Sequence, residues 1–244
     1  MSYLSKKEYS IAILQLKTET SYRKNLETLV HYIKTNQDKN LIVAPEVYLT
    51  AYDYNNFKEA YSFYNIAIET ILPLISNQIL IFTIIKKEGE KIVNQAIVIY
   101  NHKIVYRQNK YKLFKIGDEH KYFSAGEKED INPFTINGVK YAIIICFELR
   151  FKELWKRIEG VDIIIVPAMW GKARVKHLEI LSQALAIMNQ CFVIVANSAN
   201  IDMAKSSLIT YPWGELTKNN KLKLITNNID LKEVTKVRRL VSMR

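Results

Sequence analysis

The chain contains few cysteine, glycine and proline residues. Its 244 residues include 2 Cys, 7 Gly and 5 Pro. Two cysteines cannot build a disulfide framework, and the low Gly and Pro content excludes collagen-like and low-complexity chains. Hydrophobic residues make up 49% of the chain, which is enough for a packed core. We therefore expect one domain over residues 1–244, in a reducing compartment.

Long apolar runs are also missing. No window reaches the roughly 18 uncharged apolar residues that a membrane span requires. Near the start, the apolar stretch Ile11–Leu14 is short and is followed by Gln15 and Lys17, which does not fit a signal peptide. The sequence therefore predicts a cytoplasmic protein without a membrane partner.

Acidic residues are fewer than basic ones. The chain has 24 Asp+Glu and 35 Lys+Arg, a formal net charge of +11. Residues 218–244 hold 8 basic and 2 acidic residues, so much of the excess lies in this last part. Clusters of Arg with aromatic residues, which are typical of nucleic-acid binding, are missing. We expect no nucleic-acid partner.

Short apolar runs rich in β-branched residues alternate with amphipathic stretches. The predicted strands are Ile11–Leu16, Leu41–Ala44, Ile79–Ile85, Ile92–Tyr100, Val139–Ile145, Asp162–Val166, Phe192–Ala196 and Ser207–Tyr211. The predicted helices are Ser21–Lys34, Asn56–Ile75, Phe151–Ile158 and Val175–Asn189, with a last helix beginning near Asp230. A hairpin turn is predicted at Lys86–Lys91, and Lys110–Pro133 is a long polar connection. The alternation predicts an α/β fold whose second half repeats the first.

Reactive side chains follow two of the predicted strands. Glu46 comes directly after Leu41–Ala44, and Cys146 ends an apolar strand before a helix. Such strand ends are where α/β proteins build sites, and a helix N-terminus favours a thiolate. Each also has a structural interpretation: Glu46 as a turn cap and Cys146 as a small core residue. Cys191 is predicted to be core, and Lys110 lies in a charged run that is usually solvated.

The order and flanks of these residues resemble the nitrilase superfamily of carbon–nitrogen hydrolases, whose signature is Glu, Lys and Cys in that order. Pro45-Glu46 resembles the Glu motif, Lys110–Phe114 the Lys motif and Ile145–Leu154 the nucleophile motif. Supporting matches are Asn94-Gln95-Ala96, Glu119, Phe123, Gly126, Pro167-Ala168 and Pro212-Trp213-Gly214-Glu215. Four positions depart from the pattern: Lys112 stands where His is common, Phe147 where Tyr is common, Lys152 where Pro is common, and Lys205 where Gly is expected.

The resemblance implies a four-layer αββα sandwich that forms a homodimer or a larger homo-oligomer. It implies that Cys146 attacks the substrate carbonyl to form a thioester and that Glu46 carries the protons. Lys110, with the backbone amide of Phe147, would bind the oxyanion, and Glu119 would position Lys110 and the substrate. This chemistry requires no metal and no organic cofactor.

The flanks of Cys146 are most similar to the ω-amidase branch, which implies a small aliphatic amide as substrate, hydrolysed to a carboxylate and ammonia. The candidate substrate-binding residues are Phe147, Lys112, Arg150, Ala168 and Trp170. A substrate with its own carboxylate would need a cation, for which Lys112, Lys115, Arg150 and Lys172 are candidates. Two alternatives stay open: an N-carbamoyl-amine hydrolase with the same three residues, and a catalytically idle binding or assembly module.

Overall fold

The structure is a computed structural model that describes residues 8–243. The strands are β1 (Tyr9–Leu14), β2 (Leu41–Val43), β3 (Ile79–Glu88), β4 (Lys91–Tyr100), β5 (Lys103–Asn109), β6 (Phe134–Ile136), β7 (Val139–Ile143), β8 (Ile163–Ala168), β9 (Phe192–Asn197), β10 (Leu208–Thr210), β11 (Leu216–Lys218) and β12 (Leu224–Ile229). The helices are α1 (Tyr22–Thr35), α2 (Phe57–Ile71), α3 (Glu119–Tyr122), α4 (Lys152–Arg157), α5 (Val175–Asn189) and α6 (Lys232–Leu240). The prediction about a signal peptide falls partly on residues 1–7, which lie outside the described residues.

The strands form two six-stranded sheets. The strand order is β12-β1-β2-β3-β4-β5 in the first sheet and β11-β10-β9-β8-β7-β6 in the second. In the first sheet β1, β2 and β3 are parallel, and in the second β7, β8 and β9 are parallel. The other neighbouring pairs are antiparallel. The predicted repeat of the first half by the second is therefore confirmed.

Each sheet is covered on both faces, which explains the continuous apolar strands. Along β1, Ile11 and Ile13 join the core shared with the second sheet, while Ala12 and Leu14 join the core under α1 and α2. This alternation follows from the two-residue period of a strand. With α4 and α5 packed on the second sheet, the layers are helix, sheet, sheet and helix. The predicted αββα sandwich is confirmed.

The predicted helices and the predicted strands are present, with ends shifted by a few residues. The Lys86–Lys91 turn is confirmed, since β3 and β4 pair from Glu88 and Lys91 onward. Four strands are missing from the sequence prediction: β5, β6, β11 and β12. All four are edge strands. An edge strand pairs on one side only and carries polar residues, so its hydrophobic pattern is weak.

The long connection after β5 contains only short helical pieces. Gly126 in this loop packs directly against the end of β5, and a Cβ atom there would overlap the carbonyl group of Asn109. The Gly126 N–H donates to the carbonyl oxygen of Lys110 at 2.8 Å. The glycine therefore allows the loop to close over the residue that follows β5.

No helix within residues 8–243 has the length and apolar character needed to cross a membrane.

Candidate active site

The two sheets bring the three motif residues together at one place. Glu46 lies three residues after β2, Lys110 directly after β5 and Cys146 three residues after β7. The first two belong to segments of the first sheet and Cys146 to the second. The Glu46 N–H donates to the carbonyl oxygen of Ala168 in β8 at 3.4 Å, a contact that joins the two sheets beside the site.

Lys110 forms a buried ion cluster with two carboxylates. Its Nζ donates to Oε1 of Glu46 at 2.7 Å and to Oε1 of Glu119 at 2.8 Å. The other oxygen of Glu119 accepts from the backbone N–H of Phe114 at 3.0 Å, which orients this carboxylate. All three side chains are at most 5% exposed. The charged run around Lys110 is therefore not solvated at this residue.

Two neutral side chains also donate hydrogen bonds to Glu46. The Tyr52 hydroxyl donates to Oε1 of Glu46 at 2.6 Å, and Nδ2 of Asn94 donates to the same oxygen at 3.0 Å. Lys110 also donates to the Tyr52 hydroxyl at 3.2 Å. Among residues 8–243, the second oxygen of Glu46 has no hydrogen-bond partner. It is left available for the Cys146 thiol, which interacts electrostatically with Glu46 and Lys110.

Cys146 stands in a sharp turn. Its φ of 46° lies in the left-handed region, which residues with a side chain rarely adopt and which often marks functional sites. It begins a 3-10 turn, Cys146–Arg150, and the thiol also interacts with the backbone N–H of Met169. Its exposed fraction is 8%. The turn therefore directs a buried thiol toward Glu46 and Lys110.

Burial raises the pKa of the Cys146 thiol well above its usual range, and the negative charge of Glu46 adds to this while Lys110 opposes it. Burial therefore opposes the thiolate that the strand-to-helix junction was expected to favour, and Lys110 supports it. For Lys110, burial alone would lower the pKa, but the charges of Glu46 and Glu119 raise it above its usual value. Burial raises the pKa of Glu119 against the opposing charge of Lys110.

A small cavity of about 30 Å³ opens beside Cys146. Its other lining residues are Phe114, Phe147, Arg150, Met169, Trp170 and Arg174. The walls are thus mostly aromatic and apolar, with two guanidinium groups as the charged part. Apolar walls with a few charged groups are typical of the lining of small-molecule sites.

Comparison with known proteins identifies the family. The profile described as "Carbon-nitrogen hydrolase" matches residues 10–239. The chain belongs to the carbon–nitrogen hydrolase family. This confirms the nitrilase-superfamily resemblance and the predicted enzyme class.

Relatives and solved structures cover nearly the whole chain. The chain is 29% identical to a 2-oxoglutaramate amidase of Bacillus subtilis (strain 168), over 95% of this chain and 94% of that protein. It is 24% identical to an omega-amidase of Yersinia enterocolitica, over 73% of this chain and 69% of that protein. The crystal structure of a carbon–nitrogen hydrolase from Helicobacter pylori G27 matches with a TM-score of 0.88 at 19% identity. The match covers 98% of this chain and 94% of that chain. That likeness shows the fold.

The structure places three of the substrate-binding candidates of this carbon–nitrogen hydrolase, Phe147, Arg150 and Trp170, at the cavity with Cys146. Ala168 is buried in β8, where its carbonyl group accepts from Glu46. The Lys112 ammonium lies 3.5 Å from Glu153 and does not line this cavity.

Lys112 instead borders a neighbouring cleft. It lines that cleft together with Lys115 and Phe147, and its ammonium lies over the rings of Tyr111 and Phe151. Lys172 is not among the residues that line either opening. The predicted binding roles of Lys112 and Ala168 stay predictions.

Sequence reasoning missed Tyr52, Arg174 and Met169. Tyr52 lies six residues after Glu46, in the same loop, and Arg174 lies four residues after Trp170. Only the folding of these two loops brings the side chains to the site. A Tyr close after the Glu motif and an Arg close after Trp170 were the available signals.

Proposed function

We propose that this carbon–nitrogen hydrolase is an amidase that converts a small aliphatic ω-amide into a carboxylate and ammonia through a thioester on Cys146. The observation that carries the proposal is the buried cluster of Lys110 with Glu46 and Glu119, which interacts electrostatically with the Cys146 thiol. Two relatives support the substrate class, because they are named 2-oxoglutaramate amidase and omega-amidase.

In the first half of the reaction, Cys146 forms a bond from sulfur to the amide carbon. The raised pKa of the thiol keeps it protonated at rest, so the attack needs a base. The unpartnered oxygen of Glu46 takes the thiol proton and then passes it to the leaving nitrogen. The carbon–nitrogen bond breaks, ammonia leaves and a thioester remains. A positioned acid–base group of this kind contributes ~10² to 10⁴-fold to the rate.

In the second half, water replaces ammonia. Glu46 removes a proton from water, which attacks the thioester, and the proton returns to the sulfur as the carboxylate product leaves. Lys110 keeps its proton throughout, because Glu46 and Glu119 raise its pKa. It serves as a fixed cation for the oxyanion, together with the backbone N–H of Phe147. Removing one oxyanion donor typically costs roughly 10² to 10³ in rate.

Two arginines support a substrate that carries its own carboxylate. The guanidinium of Arg150 lies over the ring of Trp170 at 4.8 Å, and that of Arg174 lies over Phe114 at 5.4 Å. Neither forms a salt bridge with an acidic side chain within residues 8–243. Two guanidinium groups without a carboxylate partner beside the nucleophile fit the distal carboxylate of an ω-amide.

The test is ammonia release from a panel of ω-amides, neutral aliphatic amides and N-carbamoyl amines. We expect turnover of ω-amides and an acyl adduct on Cys146 in the intact-protein mass spectrum after rapid acid quench. Cys191→Ala should keep the adduct and Cys146→Ala should lose it. Turnover of N-carbamoyl amines alone would favour the alternative hydrolase, and no turnover of any member would overturn the amidase proposal.

A second experiment tests the arginines. Arg174→Gln should raise KM for a carboxylate-bearing ω-amide by roughly 10 to 100-fold, since a charged hydrogen bond is worth about 1.5 to 3 kcal/mol. Turnover of a neutral amide of the same length should change by less than about threefold. Lys172→Gln is the matched control, because Lys172 is nearby and does not line the cavity. Equal effects of Arg174→Gln on both substrates would contradict carboxylate recognition.

The predicted homo-oligomer and the predicted cytoplasmic location are not tested by these observations and stay predictions.

A further inference from the structure

One buried carboxylate at the site is not used by the proposed reaction. Glu148 is the third residue of the 3-10 turn that begins at Cys146, and its exposed fraction is 0%. One carboxylate oxygen, Oε2, accepts from the backbone N–H of Ile145 at 2.7 Å. The other, Oε1, accepts from the N–H of Tyr111 at 2.7 Å and from that of Lys112 at 3.4 Å.

These contacts join the two segments that carry the reacting groups. Ile145 directly precedes Cys146 in the segment after β7, and Tyr111 directly follows Lys110 in the segment after β5. Strands β5 and β7 belong to different sheets. A single side chain therefore ties one sheet to the other by backbone hydrogen bonds, one residue away from each of two reacting side chains.

The carboxylate has no cationic partner in direct contact. Glu148 forms no salt bridge within residues 8–243. Burial raises its pKa to about 7, while the backbone N–H groups and the more distant charge of Lys110 pull it down. Burying such a charge costs free energy that an apolar side chain of similar size would not cost. Stability alone is therefore a poor reason for a carboxylate here.

Few other titratable groups face Glu148. Lys110 and Tyr106 interact with it electrostatically from the β5 segment. Strand β8, which packs on the turn, has no titratable side chain. On the packed helices, His177 of α5 contacts Arg150, and Glu153 of α4 pairs with Lys112.

We propose that Glu148 is a positioning residue that holds Lys110 and Cys146 in reacting geometry by accepting hydrogen bonds from both segments. The proposal rests on the proposed function for its kinetic part. A glutamine has one acceptor oxygen and one donor NH₂ group, so it keeps one tie and turns a donor toward the N–H of the other segment. Of these two side chains, only a carboxylate can accept hydrogen bonds through both of its terminal atoms, one from each segment. Protonation of Glu148 weakens one tie in the same way.

The ionised form has opposite effects on activity and on stability. Because protonation weakens a tie, turnover should fall as the pH drops through about 7. The folded-state pKa lies above the ordinary carboxyl value of 4.5, so the folded protein binds this proton more tightly than the unfolded chain. The contribution of Glu148 to the free energy of unfolding is therefore greatest below about pH 4.5 and is lost as the pH rises through about 7.

The variants are Glu148→Gln and, as a matched control, Glu153→Gln, which removes a carboxylate of the same motif that is partly exposed. We measure kcat and KM for an ω-amide from about pH 5.5 to about 9. Glu148→Gln should lower kcat by roughly 10²-fold, the cost of a misplacement near 1 Å, with KM changed by less than about threefold. The fall of kcat as the pH drops through about 7, expected for the wild type, should be absent in Glu148→Gln. Glu153→Gln should behave as the wild type.

A kcat for Glu148→Gln within about threefold of the wild type, or an acid limb that stays at the same pH, would overturn the proposal. If Glu148→Gln does not fold, Glu148→Asp and the wild type decide it. The shorter carboxylate should keep an acid limb with a reduced kcat. A kcat for Glu148→Asp equal to that of the wild type would also overturn it.

A substrate-free measurement separates this proposal from the proposed function. In a Cys191→Ala background, the rate at which iodoacetamide alkylates Cys146 at fixed pH should rise at least about threefold in Glu148→Gln, because a loosened turn exposes the thiol, and should not change in Glu153→Gln. An unchanged rate counts against positioning by Glu148. Absence of ammonia release by the wild type, with a raised alkylation rate in Glu148→Gln, would overturn the amidase proposal alone.

Discussion

The two cysteines lie at opposite ends of the second sheet. Cys146 follows the carboxyl end of β7, and Cys191 directly precedes the amino end of β9, which runs parallel to β7 and β8. Both thiols are buried, and burial raises the pKa of both. Cys146 lies among Glu46, Lys110 and a cavity. Burial by itself therefore does not distinguish a reactive thiol from a core thiol, and the neighbouring charges do.

The charges near Cys191 are of a different kind. Arg238 and Asp162 are 3.5 Å apart, and their side chains are 31% and 25% exposed. Water therefore screens this pair, whereas Lys110 and its two carboxylates are shielded from water. At the carboxyl end of the sheet, the ion pairs of Lys110 are strong because they are buried away from water. The amino end contains an ordinary surface pair beside an apolar core.

The largest expected effect concerns the two thiols. Cys146→Ala should lower ammonia release by at least about 10³-fold, since it removes the proposed nucleophile. Cys191→Ala should leave turnover within about twofold and lower the free energy of unfolding by about 1 to 2 kcal/mol through a small cavity. Steady-state assays and urea unfolding measure both. A comparable loss of turnover in both variants would remove the functional difference between the two ends.

The ion clusters should differ in their contribution to folding. Lys110→Met leaves Glu46 and Glu119 buried without their cation, so the free energy of unfolding should fall by about 3 to 5 kcal/mol. Arg238→Met at the other end should cost about 1 kcal/mol, because its pair is partly exposed. Urea unfolding near neutral pH measures both. The loss in Lys110→Met should shrink as the pH falls, because the carboxylates then take up protons; a pH-independent loss would contradict this.

The thiols should also differ in alkylation. The pKa of each lies above the usual thiol value, so the thiolate fraction and the rate should rise with pH from about 7 to about 9 without a plateau. Cys146 should react faster than Cys191, since it is 8% exposed beside an open cavity and Cys191 is 0% exposed. Peptide mapping after iodoacetamide treatment of the folded protein measures this. Faster labelling of Cys191 would contradict the comparison.

The smallest expected effect concerns backbone strain near the carboxyl end of the second sheet, where the candidate active site lies. Lys205 lies between the carboxyl end of β9 and β10, with a φ of 55°. The family resemblance predicts Gly at this position, and the conformation is one that Gly adopts without strain. Lys205→Gly should therefore raise the free energy of unfolding by about 0.5 kcal/mol. Lys221→Gly, at a loop position without positive φ, should instead lower the free energy of unfolding slightly. A change of the same sign in both variants would contradict backbone strain at Lys205.

The central strands were predictable because each is covered on both faces. The runs Leu41–Ala44 and Tyr141–Ile145 are continuous and apolar, and such runs need no distant information to be recognised. The four edge strands were not predictable by the same means, since β5 has one buried residue, β12 has two, and β6 and β11 have only three residues each.

The residues of the candidate site were predictable, and their detailed environment was not. The motif order selected Glu46, Lys110, Cys146 and Glu119, and the structure brings all four together. Arg174 was missed because residues that meet a pocket from a loop carry no periodic pattern. The balance between burial and the Lys110 charge at the Cys146 thiol was not predictable, since desolvation depends on how closely the surrounding segments pack.

The sequence by itself determined the alternation of strands and helices, the buried character of the central strands and the family of the protein. These follow from short-range patterns and from a motif that is written along the chain. The tertiary structure decided which strands form the edges, how the Lys110 charge is shared between two carboxylates, and that Glu148 ties one sheet to the other. These depend on distances between segments far apart in sequence, and only the packing of the two sheets sets those distances.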